Sequence, residues 1–183
     1  MDIKDFEEKT LASELIFDGK VVHLYRDDIE LPDGKTSFRE YIRHIGAVCV
    51  IPVTKEMEVV CVKQYRYALG RVVLEIPAGK LDTPDEPPLE GAKRELYEET
   101  GAVADKYTYL GSIAPSPALI NEVIHIFMAE NIPLGESHLD KGEFLDVEYF
   151  SLDELFDMVM NGEITDAKTQ IAILKAREML KNR

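Results

Sequence analysis

The sequence predicts an α+β fold, a mixed sandwich of strands and helices preceded by a small antiparallel β unit. Apolar strand-like runs come in blocks, and three helical patterns stand apart from them, near 87–101, at Leu152–Met160 and at Thr165–Lys181. The first 45 residues instead hold short strand-like segments between turn signals, of which Thr36–His44 alternates apolar and polar positions. At 183 residues the chain suits one domain with a sizeable core, 46–183, and a small extension, 1–45.

Residues 1–10 are charged and are expected to be frayed or briefly helical. Leu11–Phe17 and Val21–Leu31 read as strands joined at Asp18-Gly19, and Leu31-Pro32-Asp33-Gly34 is a second turn. Thr36–His44 alternates, with Phe38 and Tyr41 against Arg39, Glu40 and Arg43. Three such strands are marginal alone and need a partner surface, on this chain or another. Ala47–Val53 is continuously apolar, the mark of a central strand. Glu58–Arg66 and Val72–Ile76 follow, then Tyr107–Ile113, Val123–Ala129 and Asp146–Phe150. Ser151 and Thr165 are candidate N-caps for the last two helices.

A net charge of −14 argues against a nucleic-acid-binding surface, which is normally basic. It also requires local cations wherever an anionic substrate approaches. No apolar run is long enough to span a membrane, and the first residues lack a signal-peptide core. Cys49 and Cys61 lie in apolar runs without metal-ligand spacing, and read as reduced core residues of a cytoplasmic protein.

The chemistry concentrates between Gly79 and Ala102. A loop opened by Gly79 runs into a helix starting near Pro87-Pro88, where proline costs no hydrogen bond, and Gly101 is placed to end it in the left-handed conformation. Glu95, Glu98 and Glu99 share one face of that helix. Leu89, Ala92 and Leu96 form an adjoining apolar stripe, which would bring the carboxylates beside the core. Three neighbouring carboxylates in a partly dry cleft repel one another, and a hard divalent cation with oxygen ligands removes that cost.

Arg94-Glu95-Leu96-Tyr97-Glu98-Glu99-Thr100-Gly101-Ala102 resembles the second half of the Nudix hydrolase signature, and Glu86 stands the required seven residues before Arg94. Six residues instead of five separate Gly79 from Glu86, so Asp85 occupies the strict position. The extra residue reads as a loop insertion around Thr83-Pro84. The resemblance implies the Nudix fold, a mixed sheet between helices, and hydrolysis of a phosphoric anhydride with Mg²⁺, or with Mn²⁺ in its place. It implies Glu95, Glu98 and Glu99 as metal ligands together with the Ala78 carbonyl. Glu98 also counts as catalytic, while Gly79, Glu86, Arg94 and Gly101 hold the motif's geometry.

Pro117, sixteen residues beyond Gly101, resembles a feature of the ADP-ribose pyrophosphatase subfamily, although Ala118 stands where glycine is usual. Leu74–Gly79, the N-terminal strands and Thr165–Thr169 are similar to the same subfamily. The resemblance implies ADP-ribose as substrate, with AMP and ribose 5-phosphate as products. It also implies a homodimer with exchanged N-terminal strands and substrate contacts from Arg39, Arg66 and Glu122. The general base it implies is a loop glutamate, for which Glu143 is preferred over Asp140. His44, His125 and His138 show no recognisable partner in the sequence. Two alternatives stay open: another nucleoside diphosphate derivative, such as a sugar nucleotide or dinucleotide, or a non-catalytic nucleotide sensor.

Overall fold

A computed structural model describes residues 5–133, 138–139 and 144–181. The chain divides into two units, one of residues 1–44 with 116–122, the other of 45–115 with 123–183. The Pro117 segment therefore belongs with the N-terminal strands.

The first unit is a three-stranded antiparallel sheet in the order β1 (Lys9–Asp18), β2 (His23–Glu30), β3 (Thr36–Ile42). Lys9 and Thr10 are already strand, where the charge pattern suggested frayed or briefly helical chain. Asp27 and Ile29 on β2 are buried. Tyr25 faces Tyr41 across the ladder with ring centroids 6.1 Å apart, and the Arg43 guanidinium lies over the Tyr25 ring at 3.6 Å. Segment 116–122 attaches to β3, where the Ile42 amide donates to the Leu119 carbonyl.

The second unit is built on a sheet in the order β10-β5-β4-β9-β8, with β6 added to β5 and β7 to β4. The strands are β4 (Ala47–Val53), β5 (Glu58–Arg66), β6 (Arg71–Glu75), β7 (Ala78–Lys80), β8 (Lys106–Ile113), β9 (Ile124–Glu130) and β10 (Leu145–Ser151). β4 pairs parallel with β9 and the other ladders are antiparallel, which makes the sheet mixed. The unbroken apolar run of β4 has a simple cause: both faces are covered. Val48 and Val50 pack with Ala92 and Leu96 of α1 (Pro88–Thr100). Cys49 and Ile51 pack on the opposite face with Leu155 of α2 (Leu152–Met160) and Ile173 of α3 (Ala167–Lys181).

The helix ends follow local chemistry. The Ser151 hydroxyl accepts from the Glu154 amide and caps α2. For α3 the cap is Asp166, not Thr165: its carboxylate accepts from the Thr169 amide at 2.9 Å, while the Thr165 hydroxyl instead accepts from Arg71. A carboxylate at that end also complements the helix dipole. Both cysteines are free and buried, and burial pushes their thiols up to about 12, so neither is a thiolate at neutral pH. Among the described residues, no helix is long and apolar enough to cross a membrane.

Candidate active site

Helix α1 meets β7 at the point where the sequence concentrates its acid. Gly101 ends the helix at φ 65°, and its amide donates to the Tyr97 carbonyl at 2.8 Å. The buried face runs through Gly91, Ala92, Glu95, Leu96, Glu99 and Thr100. Leu89, expected in the apolar stripe, stays 36% exposed, and the turn that packs closely on the loop is the Gly91 turn. A Cβ on Gly91 would lie 3.0 Å from Leu81 and 3.4 Å from the Glu86 carboxylate. Gly79 is the tighter case. A Cβ there would fall 2.0–2.2 Å from the Glu95 carboxylate, which occupies the space that any side chain would take.

Arg94 organises the loop and the carboxylates together. Its Nη1 donates to Glu95 at 2.7 Å and to Glu98 at 3.1 Å. Its Nε and Nη2 reach Glu86 at 3.3 and 3.4 Å, and Nη2 also donates to the Lys80 carbonyl at 3.1 Å. Burial disfavours the Arg94 charge, but Glu86 and Glu95 outweigh it and keep the guanidinium firmly protonated. Glu86 also accepts from the Asp82 amide at 2.7 Å, which ties the loop back on itself. Of the two acids competing for the loop position, Asp85 is exposed while Glu86 is the one that reaches Arg94.

Glu95 and Glu99 are buried and Glu98 is half-buried beside them. Among the described residues, no three His, Cys, Asp or Glu side chains are gathered as a ready metal cage. The donor set nonetheless fits a hard cation. It consists of oxygens on one helix face at positions 95, 98 and 99, and the side-chain-free Gly79 makes room for the Glu95 carboxylate. Ala78 precedes that glycine in β7, opposite Cys49 of β4.

Arg66 closes β5 in the same unit. Its Nε and Nη2 each donate to Glu75 at 2.7 Å, and Lys168 also donates to Glu75. Glu75 and Lys168 escaped the sequence reading because their pairing spans 93 residues. A local signal did exist, since a glutamate inside the apolar strand Val72–Ile76 demands a partner.

Arg39 and Pro117 lie in the first unit and line one cavity there of about 470 Å³, together with Glu8, Asp27, Tyr41 and Asn121. Arg39 is engaged by Glu8, with Nε donating at 2.9 Å. Glu122 pairs with His44 at 3.5 Å. The other two histidines, partnerless in the sequence reading, also have neighbours: His125 meets the Tyr109 hydroxyl at 3.1 Å, and the His138 ring stacks on Tyr97. Glu143 and Asp140, the candidate bases, lie outside the described residues.

The NUDIX domain matches residues 43–170, and the chain belongs to that family, whose hydrolases work with a divalent cation. Residues 8–42 match the nucleoside diphosphate sugar hydrolase N-terminal domain. The chain is 45% identical over 182 residues to the ADP-ribose pyrophosphatase of Bacillus subtilis (strain 168), covering 97% of this chain and 98% of the relative. It is also 45% identical over 184 residues to the methanol dehydrogenase activator of Bacillus methanolicus, covering 98% and 99%. A crystal structure of an ADP compounds hydrolase superposes with a TM-score of 0.86 at 23% identity, covering 96% of this chain and 95% of that one, and shows the same fold.

Proposed function

We propose that this chain hydrolyses the diphosphate bond of ADP-ribose to AMP and ribose 5-phosphate, with Mg²⁺ as its cation and Mn²⁺ as a substitute. The observation that carries the reading is the 45% identity to an ADP-ribose pyrophosphatase along nearly the whole of both chains. The three helix carboxylates at 95, 98 and 99 support it, since non-catalytic domains of this family commonly lose one of them. Glu95, Glu98, Glu99 and the Ala78 carbonyl would hold the cation. When bound, such a cation neutralises the diphosphate and lowers the pKa of an attacking water.

The chain's own residues do the rest. Glu143 takes the proton as water attacks one phosphorus, and the anhydride P–O bond breaks with its electron pair leaving on the departing phosphate. Arg66 meets the diphosphate, a contact that suits a guanidinium fork. Arg39 and Glu122 meet the substrate from the N-terminal unit. That unit would be exchanged across a two-fold homodimer, a reading supported by β1, in which all ten residues are exposed. The two buried thiols fit a reducing cytoplasm.

The test is a panel of nucleoside diphosphate derivatives assayed with Mg²⁺ on the purified chain alone. The highest kcat/KM is expected on ADP-ribose. Higher efficiency on a sugar nucleotide would favour the second reading, which the N-terminal domain match itself suggests. Glu99→Gln should lower kcat by about 100-fold or more while leaving folding nearly intact. A near-normal rate in that variant would reject the site.

A further inference from the structure

Behind Arg66 lies a polar cluster that neither the signature nor the proposed chemistry uses: Glu75, Asp166, Lys168 and Thr169. At its centre the Glu75 side chain is 3% exposed. Arg66 closes on it with a two-pronged fork, both bonds 2.7 Å, yet the Arg66 side chain stays 42% exposed. From the other side Lys168 donates to the same Glu75 carboxylate and lies 3.0 Å from Asp166. Thr169 accepts from the Ile76 amide at 3.0 Å and so fixes the backbone directly after Glu75.

Buried charge of this kind is poor evidence of a role in stability, because apolar residues of similar volume hold a fold at least as well. What the cluster supplies is direction. A free arginine samples many rotamers, and a fork bound at two points has one plane. We propose that Glu75 is a positioning residue that aims Arg66 at the substrate diphosphate, and that Lys168 fixes Glu75 in turn. The inference rests on the reading of Arg66 as a diphosphate contact. Electrostatics agrees on where the fork sits. Hydrogen bonding to Glu75 raises the Arg66 affinity for its proton against the effect of burial, and the charges of Glu75, Asp166 and Glu99 add to it. Arg66 is therefore within electrostatic reach of the carboxylate helix.

The experiment is a double-mutant cycle of Arg66→Ala and Glu75→Gln in the full chain, with steady-state kinetics on ADP-ribose and Mg²⁺ and a thermal melt of each variant. Losing a charge-assisted contact should make Arg66→Ala raise KM about tenfold or more. Glu75→Gln should raise KM by a comparable factor with kcat changed by about twofold at most, and the double variant should be no worse than Arg66→Ala alone. A purely structural role behaves differently: loss of folded protein lowers the apparent kcat and leaves KM alone. An unchanged KM in Glu75→Gln, or effects that multiply in the double variant, overturns the inference while leaving Arg66 as a contact. An unchanged KM in Arg66→Ala overturns both. If Glu75→Gln does not fold, Lys168→Met decides. It should raise KM in the same direction and Lys168→Arg should restore it, and a normal KM in Lys168→Met overturns the inference.

Discussion

Strands β4 and β1 meet opposite fates in one chain. β4 buries all seven of its residues, whereas β1 exposes all ten. The difference lies in what covers them. β4 has α1 on one face and α2 with α3 on the other, so every side chain enters a core. β1 carries Leu11, Leu15, Ile16 and Phe17, each between 43% and 56% exposed. Apolar residues exposed to this degree along one strand mark a surface that awaits a partner. Continuous apolarity therefore reports a strand already enclosed by its own chain. Scattered apolarity on a short antiparallel sheet reports one completed by something else, here proposed to be a second copy.

The comparison can be broken most directly at α1. Leu96 is fully buried under β4, and Leu96→Ala should cost about 2–5 kcal/mol in urea unfolding. A cost near zero would mean that the second unit is not the packed one. Next comes Gly79→Ala. The new methyl must displace the Glu95 carboxylate, so kcat should fall by about 10-fold to 100-fold, with a smaller change in melting temperature. Normal turnover would show that the tight seat of Glu95 has no bearing on activity.

A third effect is set by pH. Burial pushes the Glu75 carboxyl up, but Arg66 and Lys168 outweigh it and hold it below its ordinary value. A depressed folded-state value gives stability that is full above the unfolded carboxylate range, near pH 4.5, and is lost as pH falls through the folded value. Melting temperature should therefore drop on acidification below about pH 4.5, and Glu75→Gln should flatten that limb. An unchanged limb in the variant would assign the acid response to other carboxylates. The smallest folding effect belongs to β1. Leu15→Lys should change the unfolding free energy of the monomer by about 0.5 kcal/mol or less. The same change should weaken self-association in analytical ultracentrifugation, and an unaltered dimer would exclude this strand from the interface.

Most elements of the fold were legible because their signals are local. β4, β5 and α2 run over the residues that the apolar pattern marks, and Gly101 and Ser151 end and begin helices as their chemistry requires. The misses have physical reasons. β7 has three residues, too few to show a period, and is a strand through its pairing with β4. The α3 cap passed from Thr165 to Asp166 because two adjacent residues could each cap and only the carboxylate also reaches the Thr169 hydroxyl. Within the site, Glu86, Arg94 and the helix carboxylates stand at fixed spacings and could be read as a motif. The cluster around Glu75 has no spacing to read, since its members come from β5, β6, α3 and the residue that caps α3.

That distance has a consequence for how the protein is made. Lys168 is synthesised 93 residues after Glu75. At about 5–20 residues per second the ribosome leaves Glu75 without its lysine for several seconds, with the sheet strands already emerging. Through that interval a carboxylate destined for the interior must stay hydrated or hold Arg66 alone. A chain that stopped before α3 would carry every residue of the acidic signature and still lack the lysine that holds Glu75.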